Sequence, residues 1–349
     1  MPPLNQQALA DRLKLSRTTV SRSLSNHPAI SAETRARVLA AAAEQGYQGI
    51  PTRAVRRSRQ SKPVTIGVVI GVPKANVELT TFPFVLQGVR QRAEIDHVAV
   101  DIVFENPPNL LEDRLRRPIL RNIRARDWRG ILLIYPFPEA AVDALARKIS
   151  TVAVLESYAN PTVDTIDTDD VAGIVALVDR LVAAGHRRIG FAAWSYPVGG
   201  HWTLRRFGGY VQALCAHGLE IRPDWSCNVA KNSPRLDAAG VADFAALRAR
   251  SDGVTAFVCA ADHQAYQLIH DLKARGLRVP GDVSITGFDG LEPPAGLPRV
   301  ASMRVPHQEI GHSAVARLIS RILHPKAPRR KILVEALPQA GETIAPPGA

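Results

Sequence analysis

From residue 64 onward the sequence alternates between short apolar runs and longer amphipathic segments, and this alternation limits the fold more than any other feature. Apolar runs of strand length lie at 64–70, 98–104, 130–135, 152–155, 188–193, 256–260 and 284–288. Segments with helical periodicity separate them, at 84–95, 111–124, 139–148, 171–184, 204–217, 235–250, 261–275 and 307–323. Strands that alternate with helices predict an α/β fold with parallel sheets. Seven such strands exceed one comfortable sheet, so we predict two lobes.

The first 47 residues predict three short helices. Asn5, Ser16 and Ser31 each precede a helical pattern and are residue types that cap helix N-termini. Only Lys14 and Leu15 separate the first two helices, which leaves room for nothing but a sharp helix-turn-helix corner.

Positive charge is concentrated in this segment. Residues 1–62 hold eleven Lys and Arg against three acids, so they carry +8 of the total formal charge of +12. Residues 48–63 are basic, lack a hydrophobic face and are bounded by prolines, which predicts a linker or hinge. A basic module on a nearly balanced body is typical of a protein that binds a polyanion, although a solvated surface is the alternative.

Several other classes of protein are disfavoured. No apolar run approaches the ~18 residues of a membrane span, and the polar N-terminus has no signal-peptide core, so we expect a cytoplasmic protein rather than an exported transport binding protein. The motifs of P-loop, zinc-protease, α/β-hydrolase and dinucleotide-binding enzymes are missing from the sequence. Cys215, Cys227 and Cys259 lack metal-site spacing, and His263 has no third ligand nearby, so no metal or cofactor is predicted.

The segment that begins at Ser16 has the strongest functional pattern. On a helix starting there, Val20 and Leu24 point inward and Arg17, Thr18, Ser21 and Arg22 point outward. An outward Arg near the start of a recognition helix can bind the O6 and N7 atoms of guanine in the major groove. Short hydroxyl side chains suit phosphate oxygens. The alternative is a small surface helix with incidental arginines.

The run SRTTVSRSLSNHPAISAETRARVLAAAAEQGY closely resembles the DNA-binding headpiece of the LacI/GalR family of bacterial transcriptional regulators, over residues 4–47. Residues 64–343 resemble the family more loosely, through TIGVVI (65–70), GHRRIG (185–190), RFGGY (206–210) and VPGDVSITGFD (279–289). The resemblance implies a headpiece at 1–47, a basic linker at 48–63 and a periplasmic-binding-protein-like sensor and dimerisation domain at 64–349. It further implies a homodimer that binds pseudo-palindromic double-stranded operator DNA, usually as a repressor, under control of a small-molecule effector.

The resemblance also assigns DNA contacts. Base readers would be Arg17, Thr18 and Arg22. Phosphate contacts would come from Ser16, Thr19, Ser21, Asn26, Ser31 and Thr34. Two positions depart from the family pattern: Lys14 replaces the usual turn glycine, and Arg56 stands where a leucine usually wedges into the minor groove, with Val55 a poor substitute. Instead, Arg53, Arg56 and Arg57 would contact phosphates or a narrow minor groove in this linker.

The resemblance places Arg206 and Asp289 in the effector pocket. Arg206 could donate a fork of hydrogen bonds to ring hydroxyls or a carboxylate, and Asp289 follows a predicted strand and would accept from hydroxyls. Glu156, Trp202 and Phe82 are weaker candidates, since aromatic rings stack on sugars but also simply pack. A surface ion pair and a turn aspartate are the alternatives for Arg206 and Asp289. We expect a sugar or glycoside effector first and a nucleobase second.

Overall fold

The computed structural model describes residues 6–24, 30–44, 64–72, 81–111, 113–125, 127–194, 201–229 and 233–348. The chain forms two compact units, residues 1–63 and 64–349, each considered by itself below. In the described ranges, no helix combines the length and apolar character needed to cross a membrane.

The first unit is a three-helix bundle with its own small core. Its helices are α1 (Gln6–Leu13), α2 (Arg17–Leu24) and α3 (Ala32–Glu44), and each contacts the other two. Six buried residues form the core: Leu9, Ala10, Val20, Val38, Ala41 and Ala42. The predicted three-helix headpiece is therefore confirmed as a fold. The predicted cap Asn5 lies outside the described residues.

Side-chain caps set where α2 and α3 begin. The Ser16 hydroxyl accepts from the Thr19 amide at 3.0 Å, and the Ser31 hydroxyl accepts from the Thr34 amide at 3.2 Å. The corner between α1 and α2 depends on Lys14, whose φ of 52° is left-handed. A residue with a Cβ pays about 1 kcal/mol for this backbone conformation, so Lys14 carries that strain. Proteins that the headpiece resembles usually have glycine at this position.

The larger lobe of the second unit contains a six-stranded parallel sheet of order β10-β5-β4-β3-β1-β2. Its strands are β1 (Val64–Ile70), β2 (Val98–Phe104), β3 (Trp128–Ile134), β4 (Ser150–Val154), β5 (Asp164–Thr168) and β10 (Lys331–Val334). Its helices are α4 (Phe82–Ile95), α5 (Asp113–Arg124), α6 (Glu139–Ala146) and α11 (His307–Leu323), with a 3-10 turn at Pro107–Leu111. Helices α4 and α11 pack so closely that a Cβ on Gly88 would collide with the carbonyl oxygen of Gln308.

The smaller lobe contains a three-stranded parallel sheet of order β6-β7-β8. Its strands are β6 (Ile189–Ala192), β7 (Ala256–Cys259) and β8 (Ser284–Thr286). Its helices are α7 (Asp170–Ala183), α8 (Trp202–Ala216), α9 (Ala238–Asp252) and α10 (Asp262–Ala274), and a 3-10 turn lies at Pro223–Trp225. Two further strands, β9 (Ser302–Arg304) and β11 (Leu337–Gln339), pair antiparallel beside it.

The end of the chain completes both sheets. Strand β10 extends the large sheet beside β5, after which the chain returns to the small lobe. There the Thr343 hydroxyl accepts from the Ala301 amide at 3.0 Å and donates to the Ile285 carbonyl at 2.6 Å. The Thr343 carbonyl also accepts from the Ile285 amide, so the tail covers β8.

The α/β architecture with two parallel-sheet lobes agrees with the sequence prediction, but four strands were not predicted. Strand β5 was missed because its sequence, DTIDT, puts two aspartates in a fully buried strand. Strands β9, β10 and β11 have three or four residues each, which is too short for a period of two to be visible.

Candidate functional site

The carboxyl ends of strands from both lobes meet around two adjacent arginines of α8. Glu156 follows β4 and Asp167 lies near the end of β5, both in the large lobe. Ala260 follows β7, and Phe288 and Asp289 follow β8, all in the small lobe. This arrangement is typical of ligand-binding crevices in open α/β sheets.

Arg206 is buried, and each of its three guanidinium nitrogens donates a hydrogen bond. Its Nε donates to Asp170 Oδ1 at 2.9 Å, its Nη1 to the Ala260 carbonyl at 2.7 Å and its Nη2 to Asp289 Oδ1 at 3.2 Å. The guanidinium carbon lies 3.9 Å from the ring centre of Phe288 and 4.9 Å from that of Trp202. The guanidinium plane is thus fixed by charge-assisted bonds and aromatic faces, in place of the surface ion pair that was the alternative.

Arg205 connects the small lobe to the large one. Its Nε donates to Asp170 Oδ2 at 2.9 Å, and its Nη2 lies 2.9 Å from Asp167 Oδ2. Glu156 is 1% exposed. Its carboxylate accepts hydrogen bonds from the backbone amide and from the ring Nδ1 of His201, both at 3.0 Å. Changes in the separation of the lobes must therefore break or rearrange these ion pairs.

Burial makes two of these carboxyl groups unusually basic. Burial raises the pKa of Asp289 to about 7, against the opposing charge of Arg206. Burial also raises the pKa of Asp167, against the opposing charge of Arg205. Burial, reinforced by the charge of Arg206, lowers the pKa of His263 to about 4, so this imidazole is neutral at pH 7.

Asp289 has a strained backbone and two environments. Its φ of 128° is outside the usual range for a non-glycine residue, and Gly290 follows at φ 77°. Its side chain accepts a hydrogen bond from Arg206, and the residue also lines a cavity of about 540 Å³ together with Phe84, Arg304 and His307. A cavity of this size can hold a small organic molecule.

The weaker effector candidates occupy different environments. Trp202 is half-buried at the start of α8 and lies over Arg206. Phe82 is 5% exposed and packs edge-to-face on Phe104, with ring centres 5.4 Å apart, in the large-lobe core. Of the five effector candidates, Arg206, Asp289, Glu156 and Trp202 are therefore brought together, whereas Phe82 lies against Phe104.

The predicted base-reading residues share one exposed surface of α2. Arg17, Thr18 and Arg22 are exposed, whereas Val20 is fully buried on the opposite side. Among the predicted phosphate contacts, Ser16 and Ser31 are exposed caps, and Thr19, Ser21 and Thr34 are half-buried. Asn26, Arg53, Val55, Arg56 and Arg57 fall outside the described ranges.

Sequence reasoning missed Arg205, Asp167, Asp170, His201 and Phe288. A signal was available in the sequence IDTDD (166–170), because buried aspartates need cationic partners. Without β5 recognised as a strand, its aspartates looked like ordinary loop residues. The cysteines are free thiols, with Cys227 and Cys259 buried and Cys215 exposed. In the part of the chain that the structure describes, no group of three or more His, Cys, Asp or Glu side chains could hold a metal ion.

Comparisons with known proteins agree with this architecture. Residues 8–49 match the model for bacterial regulatory proteins of the lacI family, and residues 178–344 match the periplasmic binding protein-like domain. The chain is 28% identical over 294 residues to the HTH-type transcriptional regulator AglR of Rhizobium meliloti (strain 1021), covering 83% of this chain and 79% of AglR. It is 26% identical over 339 residues to the NTD biosynthesis operon regulator NtdR of Bacillus subtilis (strain 168), covering 95% and 96%.

Among solved structures, the fold is similar to that of the transcriptional regulator CelR in complex with cellobiose. The TM-score is 0.67 at 20% identity, and the match covers 98% of this chain and 100% of that one. The named sequence relatives are regulators of transcription, which bears out a regulator over an enzyme. The chain therefore combines an N-terminal unit that matches the lacI family of bacterial regulatory proteins with a second unit that matches the periplasmic binding protein-like domain.

Proposed function

We propose that the protein is a repressor whose affinity for a pseudo-palindromic operator is controlled by a small carbohydrate bound between the two lobes of residues 64–349. The proposal divides the chain into a DNA-binding headpiece (1–47), a basic linker that meets DNA (48–63) and a sensor that also forms a homodimer (64–349). A two-fold dimer would present two copies of α2 to two half-sites.

The observation that carries the DNA-binding half is the exposed surface of α2. Arg17, Thr18 and Arg22 extend from a helix whose opposite side is anchored by Val20. In this proposal these three residues contact base edges, and Ser16, Thr19, Ser21, Asn26, Ser31 and Thr34 contact phosphates. In the linker, Arg53, Arg56 and Arg57 supply further phosphate or minor-groove contacts beside Val55.

The ion-pair network supports the effector half. An effector shifts an equilibrium only if it binds one arrangement of the lobes better than the other. Arg205 on α8 pairs with Asp167 and Glu156 of the large lobe and shares Asp170 with Arg206, so a ligand that competes for these contacts favours one arrangement of the lobes. Asp289 and Glu156 supply acceptors for hydroxyls, and the Trp202 ring supplies an apolar face for a sugar. The CelR complex with cellobiose favours the same ligand class.

Selection of bound sequences from a random duplex pool tests the DNA-binding half. We expect a pseudo-palindrome to be enriched, and Arg22→Ala to weaken binding to it by roughly 10- to 100-fold while sparing random DNA. Arg37→Ala, an exposed arginine of α3, is the matched control and should cause a much smaller change on the selected site. Equal losses for both variants, or no enriched sequence, would refute the assigned role of α2.

Thermal shift against a panel of monosaccharides, disaccharides, glycosides and nucleosides tests the effector half. A ligand at ~100 times its Kd should raise the unfolding midpoint of residues 64–349 by several degrees. That shift should largely disappear in Asp289→Asn and persist in Asp282→Asn, whose carboxylate pairs with Arg278 at the surface. Stabilisation by nucleosides and by no carbohydrate would replace the sugar with a nucleobase effector.

A further inference from the structure

The amino ends of the large-lobe strands form a second cationic surface. Helices run antiparallel to the strands they precede, so α5 and α6 end where β3 and β4 begin. Five exposed cationic residues lie there: Arg121 and Arg124 in the last turn of α5, Arg129 in β3, and Arg147 and Lys148 after α6.

The end of α11 adds to the same surface. Leu318 and Ile322 of α11 meet the backbone of Gly130 near the start of β3, which brings the end of this helix to the same edge. The following loop leads into β10 and carries three more exposed cations, Lys326, Arg330 and Lys331. We name these eight side chains the amino-edge surface.

Little negative charge neutralises the amino-edge surface. Within the described ranges none of its eight side chains forms an ion pair or a side-chain hydrogen bond. The buried carboxylate nearest the α11 loop, Asp164, is already bound by Arg317 and Arg321 at 2.8 and 2.7 Å. Glu94 and Asp127 are exposed acids at the same edge, and Asp101, exposed in β2, accepts a hydrogen bond from Trp128 Nε1 at 2.9 Å. Residues 63–349 are together only +4, so without these eight cations the rest of this segment has a net charge of −4.

We propose that the amino-edge surface binds the phosphate backbone of DNA that flanks the recognised site; the proposal rests on the proposed DNA-binding function. Eight unpaired cations are complementary to a polyanion rather than to a neutral or cationic partner. The four strands β10-β5-β4-β3 span about 14 Å, which matches about four base pairs of duplex. The chain also enters this unit at Val64, and β1 pairs with β3 from Thr65↔Trp128 onward, so Val64 lies one strand away from Arg129.

The test compares two fourfold variants of the full chain with equal loss of charge. The first, Arg121→Gln/Arg124→Gln/Arg147→Gln/Lys148→Gln, removes half of the amino-edge surface. The control, Arg188→Gln/Arg235→Gln/Arg250→Gln/Lys273→Gln, removes four exposed cations of the small lobe. Affinity is measured across a salt series on the selected site alone and on the same site with about 20 flanking base pairs on each side.

On the long duplex we expect the negative slope of log affinity against log salt to become shallower by about 2 to 3 for the first variant. Each lost phosphate contact reduces the magnitude of this slope by ~0.9. The short duplex should show little change, and the control should match the wild type on both. Equal behaviour of the two variants, or an unchanged slope on the long duplex, overturns the proposal. Affinity for single-stranded RNA is measured in the same salt series, and a loss confined to that RNA would assign the surface to RNA and also overturns the proposal.

Failure of the proposed function gives a different result. In that case the wild type itself shows no preference for any duplex, while the salt slope on random DNA still reports whether the amino-edge surface meets phosphates. The two failures are therefore separable in the same series of measurements.

Discussion

At the residue scale, two of the six described non-glycine residues with positive φ lie beside candidate functional groups. Lys14 holds φ 52° at the corner that orients α2, and Asp289 holds φ 128° beside Arg206. Neither residue is glycine, the residue type that adopts positive φ without cost. The surrounding bundle stabilises the first of these conformations and the ion pair with Arg206 stabilises the second.

Replacing Lys14 with glycine should stabilise the three-helix unit by about 1 kcal/mol, because the left-handed conformation then costs nothing. Urea unfolding followed by helical circular dichroism of residues 1–62 measures the effect. Lys14→Ala removes the same charge but keeps the strain, so it should not stabilise the unit. A gain for both variants would trace the effect to charge instead.

Asp289 also predicts a pH dependence of stability. Burial raises the pKa of Asp289 to about 7, so the folded chain keeps a proton that the unfolded chain loses near pH 4. The stability from this group is present below pH 4 and is lost as the pH rises to 7. His263 and His307 act in the opposite direction, because burial lowers each pKa to about 4 and their contribution grows from pH 4 to 6.5.

We therefore expect Asp289→Asn to steepen the rise of the unfolding midpoint between pH 4.5 and 6.5, since the variant removes one of the buried carboxyl groups that oppose the two histidines. Differential scanning calorimetry of the variant and the wild type at four pH values measures this. Profiles that run parallel would show that Asp289 is ionised throughout in the folded chain.

At the element scale, the crossing of α4 and α11 depends on two glycines. A Cβ on Gly88 would collide with the carbonyl oxygen of Gln308, and a Cβ on Gly311 would collide with that of Val85. These contacts are between backbones, so no rotation of a side chain can relieve them. The helices must separate if either glycine is replaced.

We expect Gly88→Ala to destabilise residues 64–349 by about 3 kcal/mol, in the range of overpacked cores. Gly208 of α8 provides the control, because a Cβ there meets nothing within 4 Å. Gly208→Ala should stabilise by up to ~1 kcal/mol through helix propensity. Denaturant unfolding distinguishes the two, and similar effects from both would remove the helix crossing as the cause.

An element could be predicted from the sequence where its local residue pattern indicates whether the element is buried or exposed. Strand β1, VTIGVVI, is buried from its third residue onward and was predicted at its observed bounds. Strand β5 was not, because its aspartates are buried by partners on other elements, Arg317, Arg321 and Arg205, that no local pattern reveals. The same reasoning separates Arg206, found through its motif, from Arg205, whose partners become visible only in three dimensions.

At the scale of the whole molecule, the two units have cores of very different size. The first unit buries six small and medium apolar side chains among its described residues, whereas the second has three separate clusters of large ones. A core of six such residues supports a few kcal/mol at most. The two units should therefore differ in stability.

We expect calorimetry of the full chain to show two transitions, with the three-helix unit unfolding first and with the smaller enthalpy. A chain that begins at Val64 should lose only the first transition, and binding of the selected duplex should raise it. A single transition that shifts with DNA as a whole would contradict this independence.

The tail that covers β8 has a consequence for shortened forms of the protein. Residues 331–345 supply the neighbour of β5 in one sheet and the backbone partner of β8 in the other. Without them each sheet keeps an unpaired edge that can capture a strand of another chain. A variant cut before Lys331 should therefore aggregate, and holdase chaperones should bind it.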